Sequence, residues 1–333
     1  MSLGGGRMGG LQVPKRIILL LSLGLWISIG FLVVYNVRLR HEAIWPTGER
    51  AVGDALAHQQ GALQEPAAAR HQASNKTLRL PPEWRVEQKL SYVGVIVFPV
   101  KRRLLCTVPK AGCTVLRSFA LLESFRVRLD PNDSANVSHI HPFAKRHLLQ
   151  LGSFSDEQVT HMLESPLWEY AAVVRHPLTR LLSAYLDKVV TQKELWRRPL
   201  QNKQPESFPE FVALLEDIAR RYRNNWDWVD EHWRPQSGFC LFRFLSPNMY
   251  DHVVKVEDST ALEELYVTMF GESGARWVQE RRQSNAKNAH TSVHSHAANT
   301  KLREYVDENL ARRIQRLYAE DYKRFGYDLW PSE

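Results

Sequence analysis

Apolar residues along the chain fall into short unbroken runs and into longer stretches with a helical period. The short runs predict buried strands at residues 92–100, 104–108 and 171–174, with a further strand at 253–256. The longer stretches predict helices at residues 115–125, 178–189, 207–222 and 300–322. Strands that alternate with amphipathic helices predict an α/β fold.

Two of these helices carry end signals. Ser207-Phe-Pro-Glu210 has the pattern of a capping box, with a proline inside the first helical turn. Gly326 follows the apolar periodicity of the last helix, as is typical of a residue just beyond a helix end. The sequence therefore predicts a sharp start for the helix at 207–222, and one long helix that ends before Gly326.

An uncharged stretch near the N terminus, residues 17–35, is 19 residues long. A helix of that length spans roughly 28 Å, close to the thickness of a bilayer core. A cleaved signal peptide is the alternative, but its apolar core usually has only about 7–15 residues and a cleavage site follows it. Here the stretch leads into Asn36-Val-Arg without such a site, which favours an uncleaved anchor. Basic residues before the stretch favour a cytoplasmic N terminus.

The anchor divides the chain into a cytoplasmic tail (1–16), a transmembrane signal anchor (17–35), a luminal stem (36–87) and a folded body (88–333). The stem is rich in Ala, Gln, Glu and Arg and has little apolar periodicity, which is typical of a spacer. Three glycosylation sequons support a luminal body, and they begin at Asn75, Asn132 and Asn136.

The net charge indicates the kind of binding partner, and the number of cysteines excludes a disulfide scaffold. Lys plus Arg number 44 against 36 for Asp plus Glu, a net charge of +8, which suits an anionic partner. The anchor and the sequons argue against nucleic acid and favour an acidic glycan. Three cysteines are too few for a disulfide scaffold, and their pairing stays open.

The loop between the strand at 104–108 and the helix at 115–125 has the features of an anion-binding turn. The N terminus of a helix offers unpaired backbone N–H groups and a partial positive charge. Gly112 allows close backbone approach, Thr114 adds a hydroxyl that can cap the helix, and Lys110 adds a mobile charge. The loop lacks the G-x-x-x-x-G-K-[ST] pattern of many ATPases and kinases. Taken alone, it also fits an ordinary strand–helix turn.

A second turn of this kind follows the strand at 171–174. Arg175 stands at the strand end, where a guanidinium can bind a phosphate through two parallel hydrogen bonds. Pro177 sets the first helical turn, and Ser183 lies off the apolar face of the helix, so that its hydroxyl can reach the same anion. Two such turns suit one ligand that carries phosphates at both ends.

These segments resemble a known pair of motifs. VPKAGCT (108–114) and VVRHPLTRLLSAYLDKV (173–189) resemble the 5′-phosphosulfate and 3′-phosphate motifs of Golgi carbohydrate sulfotransferases. The chain is most similar to the chondroitin and dermatan 4-O-sulfotransferases and the natural-killer-epitope sulfotransferase. His232-Trp-Arg-Pro-Gln236 and the ending from Tyr318 to Tyr327 resemble further segments of that family. The family often has a cysteine pair after the first of these, where this chain has only Cys240.

The resemblance implies a single P-loop-kinase-like α/β domain with a central parallel sheet, which is a sulfotransferase catalytic domain at 88–333. It implies 3′-phosphoadenosine-5′-phosphosulfate (PAPS) as the donor co-substrate. The 3′-phosphate is then expected on Arg175 and Ser183. The 5′-phosphosulfate is expected on a loop made of Lys110, Ala111, Gly112, Cys113 and Thr114.

The resemblance also implies a single-pass type II protein of the Golgi membrane with a luminal catalytic domain and a glycosaminoglycan or glycoprotein glycan as acceptor. The first expectation for the acceptor is the 4-O position of N-acetylgalactosamine in chondroitin or dermatan. Two alternatives stay open, a uronyl 2-O-sulfotransferase-like enzyme and a catalytically inactive luminal glycan-binding protein of the same fold. A homo-oligomer also stays open.

Sulfuryl transfer is an in-line displacement in which positioning and charge stabilisation dominate, and it requires no metal. Lys110 is expected to stabilise the leaving phosphate. A sugar hydroxyl benefits from a general base, and His139 and His141 between the two motifs are the candidates. His232 and Glu257 are alternatives, and the two candidate histidines also fit loop residues that pack against the sheet.

Several other side chains have spacings that bear on glycan or metal binding. The histidines of one segment match no standard metal-ligand spacing, so a basic substrate-facing loop is expected at His290, His294 and His296. Nearby basic residues are expected to help bind an acidic glycan, and they are Arg281, Arg282 and Lys287. Three tryptophans fit either sugar stacking or core packing, and they are Trp226, Trp228 and Trp233.

Overall fold

A computed structural model of the chain describes residues 94–131, 134–192, 204–222, 225–226, 229–245, 247–287 and 297–331. Within these ranges the sheet has four strands, which are β1 (Val95–Phe98), β2 (Arg103–Thr107), β3 (Glu169–Val174) and β4 (His252–Lys255). The α-helices of the same ranges are α1 (Cys113–Phe125), α2 (Ser134–His147), α3 (Asp156–Glu164), α4 (Pro177–Ala184), α5 (Phe208–Arg221), α6 (Ser259–Phe270), α7 (Glu272–Lys287), α8 (Ala297–Tyr305), α9 (Glu308–Leu317) and α10 (Ala319–Phe325).

The strands lie in the order β1-β2-β3-β4. β2 pairs parallel with β3, and β3 pairs parallel with β4, with Ala172 opposite both Cys106 and Val253. The α/β prediction is confirmed, but the sheet is mixed because β1 pairs antiparallel with β2. The short connection at 99–102 explains this difference, since a parallel partner needs a crossover of about a dozen residues or more.

Two apolar clusters form the core. The first packs around the sheet and the segment after residue 238, and the second lies among α4, α5 and the C-terminal helices. A disulfide joins Cys106 of β2 to Cys240, with the two Cα atoms 5.6 Å apart. Cys113 is the free cysteine. The pairing that the sequence left open thus ties the strand before the first anion-binding turn to the segment after His232-Trp-Arg-Pro-Gln236.

The predicted long helix at 300–322 is wrong, because three helices occupy that region. Asp307 interrupts the apolar period, and its carboxylate accepts a hydrogen bond from the Leu310 N–H at 2.7 Å, which starts α9. Tyr318 ends α9 with non-helical angles of φ −112° and ψ 29°. Gly326, with φ 59°, ends α10 as predicted.

The other predicted helices form, with altered ends. The helix expected at 178–189 is α4, which continues as a π-helical turn at Tyr185–Thr191. Ser207 caps α5 by accepting the Glu210 N–H at 3.4 Å. The predicted capping box is only half formed, because the Glu210 carboxylate accepts from the Glu206 N–H rather than from Ser207.

The predicted tail, anchor and stem lie outside the described residues, together with Asn75 and Asn132. Asn136 falls in the first turn of α2. Among the described helices, none combines the length and the apolar character that crossing a bilayer requires.

Candidate active site

The two predicted anion-binding turns leave the same edge of the sheet. β2 and β3 run side by side and parallel, with Thr107 opposite Val173, so the loops that follow them begin next to each other. The Arg175 Nη1 atom donates a hydrogen bond to the Lys110 carbonyl oxygen at 3.2 Å. The structure therefore brings the first and second turns into direct contact.

The first turn bends tightly into α1. Lys110 and Gly112 have positive φ angles of 65° and 75°. A Cβ atom on Gly112 would lie 3.3 Å from Val256 Cγ2, so a glycine fits this position for both conformation and space. Among the described residues no side chain caps the start of α1, which leaves its first backbone N–H groups available for an anion. Thr114, predicted as a possible cap, lies inside the first turn of the helix instead.

Lys110 is held beside this loop by an ion pair. Its Nζ atom lies 2.9 Å from Asp187 Oδ2, in the π-helical turn after α4. Lys188 Nζ lies 3.1 Å from the same oxygen. Burial raises the pKa of Asp187, but the two lysines outweigh it and lower that pKa to about 2. Asp187 was not among the predicted site residues, although it lies within the same motif segment as Arg175.

Arg175 is buried, and its contacts fix both its backbone and its side chain. The Nε atom donates to Thr179 Oγ1 at 3.1 Å, one helical turn into α4. Gln236 Oε1 accepts the Arg175 N–H at 2.8 Å, and Gln236 Nε2 donates to the Arg175 carbonyl at 2.6 Å. Ser183 is buried one further turn along, on the helix face of Thr179. Ser183 therefore lies on the same side of α4 as the Thr179 hydroxyl that binds the Arg175 side chain.

Arg180 joins the second turn to the first and to the segment around Gln236. It is fully buried and donates to the carbonyl oxygens of Pro109 at 2.9 Å and Arg234 at 2.7 Å. Asp321 of α10 accepts the backbone N–H groups of Gln236 and Ser237, both at 2.8 Å. Both residues fall in segments that carried the resemblance, but only the fold reveals that they support the site.

His141 lies against the first turn, whereas His139 is exposed on α2. The His141 Nε2 atom lies 2.9 Å from Thr114 Oγ1, and Arg117 Nη1 contacts Nδ1. A guanidinium only donates, so Nδ1 accepts and Nε2 carries the proton that it donates to Thr114. Burial raises the pKa of Cys113, but a hydrogen bond to His141 and the charge of Arg117 outweigh it and lower that pKa to about 6.

Comparison with known proteins agrees with this arrangement. A family model described as the sulfotransferase family matches residues 93–328, more than half of the chain, including both turns. The chain belongs to the sulfotransferase family. No solved structure matches this sulfotransferase-family chain.

Its relatives are carbohydrate sulfotransferases by name. The chain is 26% identical over 245 residues to human carbohydrate sulfotransferase 9, covering 67% of this chain and 51% of the relative. It is 24% identical over 324 residues to chicken carbohydrate sulfotransferase 10, covering 88% and 84%. It is 25% identical over 288 residues to mouse carbohydrate sulfotransferase 8, covering 78% and 61%. The chain thus spans only about half to five-sixths of the length of these relatives.

His232 and Glu257, the alternative candidates for the general base in this sulfotransferase, have different hydrogen-bond partners. His232 Nδ1 is 2.6 Å from Asp230 Oδ1, so a carboxylate orients its ring. Glu257 follows β4 at the same sheet edge, and its Oε1 accepts the His176 N–H at 2.8 Å. Its second oxygen, Oε2, is buried without a hydrogen-bond partner among the described residues. His176 is itself neutral, since burial lowers its pKa to about 4.

The remaining predicted residues that the structure describes make none of these contacts. Trp226 and Trp233 are buried in the helical cluster, while Trp228 and the three histidines at 290–296 lie outside the described residues. Arg282 of α7 is paired with Glu263, and Lys287 ends the same helix. Arg281, also on α7, lies 5.8 Å from the ring centre of Trp277. Across the described ranges, no three His, Cys, Asp or Glu residues form a group that could hold a metal ion.

Proposed function

We propose that this chain is a carbohydrate sulfotransferase that transfers a sulfuryl group from PAPS to a glycan hydroxyl. The observation that carries the proposal is the 3.2 Å contact between Arg175 Nη1 and the Lys110 carbonyl. This contact supports the proposal, because turns in direct contact are close enough for one nucleotide with phosphates at both ends to reach both. The relatives named carbohydrate sulfotransferases support a glycan acceptor.

The donor is assigned to the residues that the resemblance indicated. The 5′-phosphosulfate lies on the loop at 110–114, where no side chain in the described part of the chain caps α1 and Lys110 supplies a full charge. The 3′-phosphate lies on Arg175 and Ser183, both buried along α4. The residues fit the group, because the buried Arg175 is a charge that an anion can balance. Burial lowers its pKa, which marks the desolvation that a phosphate would offset.

The transfer exchanges one sulfur–oxygen bond for another. The acceptor oxygen bonds to sulfur while the bond from sulfur to the 5′-phosphate oxygen breaks, and the hydroxyl proton leaves to a base or to solvent. Negative charge then gathers on the 5′-phosphate, where Lys110 and the N terminus of α1 stabilise it. Asp187, 2.9 Å from Lys110 Nζ, keeps the ammonium beside the loop before the donor arrives.

The catalytic role predicted for His139 and His141 is refined by their contacts. We assign His141 to positioning, because its Nε2–H donates to Thr114 Oγ1 and so leaves the threonine O–H free to donate to the donor. A glutamine can make that donation but cannot take up a proton. Restored kcat in His141→Gln, compared with His141→Ala, supports positioning, whereas equal loss in both variants supports a base. His139→Gln is the matched control from the exposed face of α2.

The acceptor and the compartment follow from the family resemblance. The proposed acceptor position is the 4-O of N-acetylgalactosamine in chondroitin or dermatan, and the proposed location is the Golgi membrane with a luminal catalytic domain. A uronyl 2-O enzyme is the rival. The experiment incubates the full chain in detergent with radiolabelled PAPS and desulfated chondroitin, dermatan and heparan, and then maps the product disaccharides.

Two outcomes separate the remaining alternatives. Label on a uronic acid 2-O position would replace the N-acetylgalactosamine assignment. Binding of 3′-phosphoadenosine-5′-phosphate (PAP) without any transfer would indicate an inactive glycan-binding protein. Absence of both PAP binding and transfer would reject the proposed function, because the two turns would then hold no nucleotide. Arg175→Ala is the control variant that removes the 3′-phosphate contact, and it is expected to abolish PAP binding.

A further inference from the structure

A second cleft lies beside the donor turns without including their residues. Its volume is about 1060 Å³, and α5, the segment at 235–238, α9 and α10 form its walls. That volume is slightly above the usual range for small-molecule sites, about 300–1,000 Å³, so it admits several linked sugar rings. Neither Lys110, Arg175 nor Ser183 lines it.

The lining of this cleft is rich in arginine. Two glutamates, Glu216 and Glu320, share it with five arginines, which are Arg220, Arg243, Arg313, Arg316 and Arg324. The positive excess within a concave wall attracts an anionic ligand. Guanidinium groups also match the planar geometry of carboxylate and sulfate better than ammonium groups do. The chemistry of the lining therefore favours a ligand that carries several such groups.

The ion pairs inside the cleft are weak enough for an incoming anion to replace the glutamates. Arg313 binds both carboxylate oxygens of Glu216, at 3.1 and 2.7 Å, and Arg324 binds Glu320 at 2.8 Å. The glutamate side chains are 30% and 55% exposed, and such pairs contribute only about 0–1 kcal/mol. Arg316 is exposed and has no ion-pair partner in the described ranges. An incoming anion can thus displace the glutamates and bind Arg316 directly.

The cleft is rigidly connected to the donor turns. Ser237 lies in its wall, and the preceding Gln236 exchanges two hydrogen bonds with the backbone of Arg175. Asp321 accepts the N–H groups of both Gln236 and Ser237 at 2.8 Å. A ligand in the cleft is therefore held at a fixed position relative to the proposed 3′-phosphate site.

We propose that this cleft binds a polyanionic stretch of the acceptor glycan, bearing carboxylate or sulfate groups, outside the sugar that reacts. The proposal rests on the proposed function for the identity of the ligand as an acceptor. A nucleic acid fits less well, because the aromatic wall residue Trp226 is only 8% exposed and is stacked on Tyr318. Its face is not available for a base.

The test measures glycan binding and turnover separately. The probe is a fluorescent chondroitin 4-sulfate decasaccharide, and the variants of the full chain are Arg316→Ala and the double variant Arg220→Ala with Arg316→Ala. The matched control is Arg312→Ala, because Arg312 is an exposed arginine of α9 that pairs with Glu308 and does not line the cleft. A neutral maltodecaose probe controls for non-ionic binding.

We expect about a tenfold weaker decasaccharide affinity for each cleft arginine removed, with no change in Arg312→Ala or in PAP binding. KM for a polymeric acidic acceptor should rise in parallel, while KM for a disaccharide acceptor stays constant. Equal affinity in the cleft variants and the control would overturn the cleft proposal even if the wild-type chain transfers sulfate. Failure of the wild-type chain to transfer sulfate while arginine-dependent binding persists would reject the enzyme proposal alone.

Discussion

Gln236 provides the most direct test of how the second turn is built. Its side chain is fully buried, accepts the Arg175 N–H at 2.8 Å and donates to the Arg175 carbonyl at 2.6 Å. Gln236→Leu keeps a similar volume but removes the hydrogen bonds that Gln236 makes to one donor and one acceptor of the Arg175 backbone. The loss of a hydrogen-bond partner by a buried group costs about 1–3 kcal/mol, so the free energy of unfolding should fall by about 2–6 kcal/mol for the two groups.

The assay is urea unfolding of the full chain in detergent, followed by tryptophan fluorescence, together with the Kd of PAP. Because the Arg175 backbone orients its guanidinium, PAP affinity should fall about tenfold or more in the folded variant. Gln279→Leu is the control, since Gln279 is exposed on α7 and such surface changes usually stay within about 0.5 kcal/mol. A Gln236→Leu chain as stable as this control, with unchanged PAP affinity, would refute the reasoning.

Further predictions follow from single contacts. Lys110→Ala should lower kcat about 10²–10³-fold with a smaller change in the Kd of PAP, measured by radiolabel transfer and titration. Cys240→Ser should lower the free energy of unfolding by about 4–5 kcal/mol, because the disulfide closes a sequence separation of 134 residues, measured by urea unfolding. The pKa of Cys113 is lowered from 9.0 to about 6 in the folded chain. The ionised thiolate should therefore raise the free energy of unfolding of the wild-type chain relative to Cys113→Ser. This difference should be full above pH 9 and lost as the pH falls through 6. An equal difference in free energy of unfolding above pH 9 and below pH 6 would contradict this prediction. Gly112→Ala should weaken PAP binding, given φ 75° and the 3.3 Å approach to Val256.

The sheet and the two turns were predictable because their signals are local. A run of buried apolar residues marks a strand wherever it pairs, and β2 and β3 therefore lie within two residues of their predicted bounds. Gly112 and Arg175 stand directly after those strands, so their place at the sheet edge needed no knowledge of the rest of the fold. The strand β1 was predicted as well, but its antiparallel direction was not, since apolar runs do not indicate the direction of pairing.

Other features depend on contacts between distant parts of the chain. The period of apolar residues at 300–322 runs through Asp307, and only the hydrogen bond to Leu310 shows that α9 starts anew there. The pairing of Gln236 with Arg175 joins residues 61 positions apart, and no spacing rule predicts it. The arginine cleft combines α5, α9 and α10, whose surface charges have no common pattern in the sequence.

The parallel pairing of β2 with β3 has a consequence for how such chains diversify. The connection from the carboxyl end of β2 to the amino end of β3 crosses from one edge of the sheet to the other, while the two strands lie about 4.8 Å apart. Insertions or deletions between α2 and β3, at 148–168, leave the strands in register, because backbone hydrogen bonds hold them. Changes of length in this stretch can therefore accumulate without moving the two donor turns, which both begin at the opposite edge of the sheet.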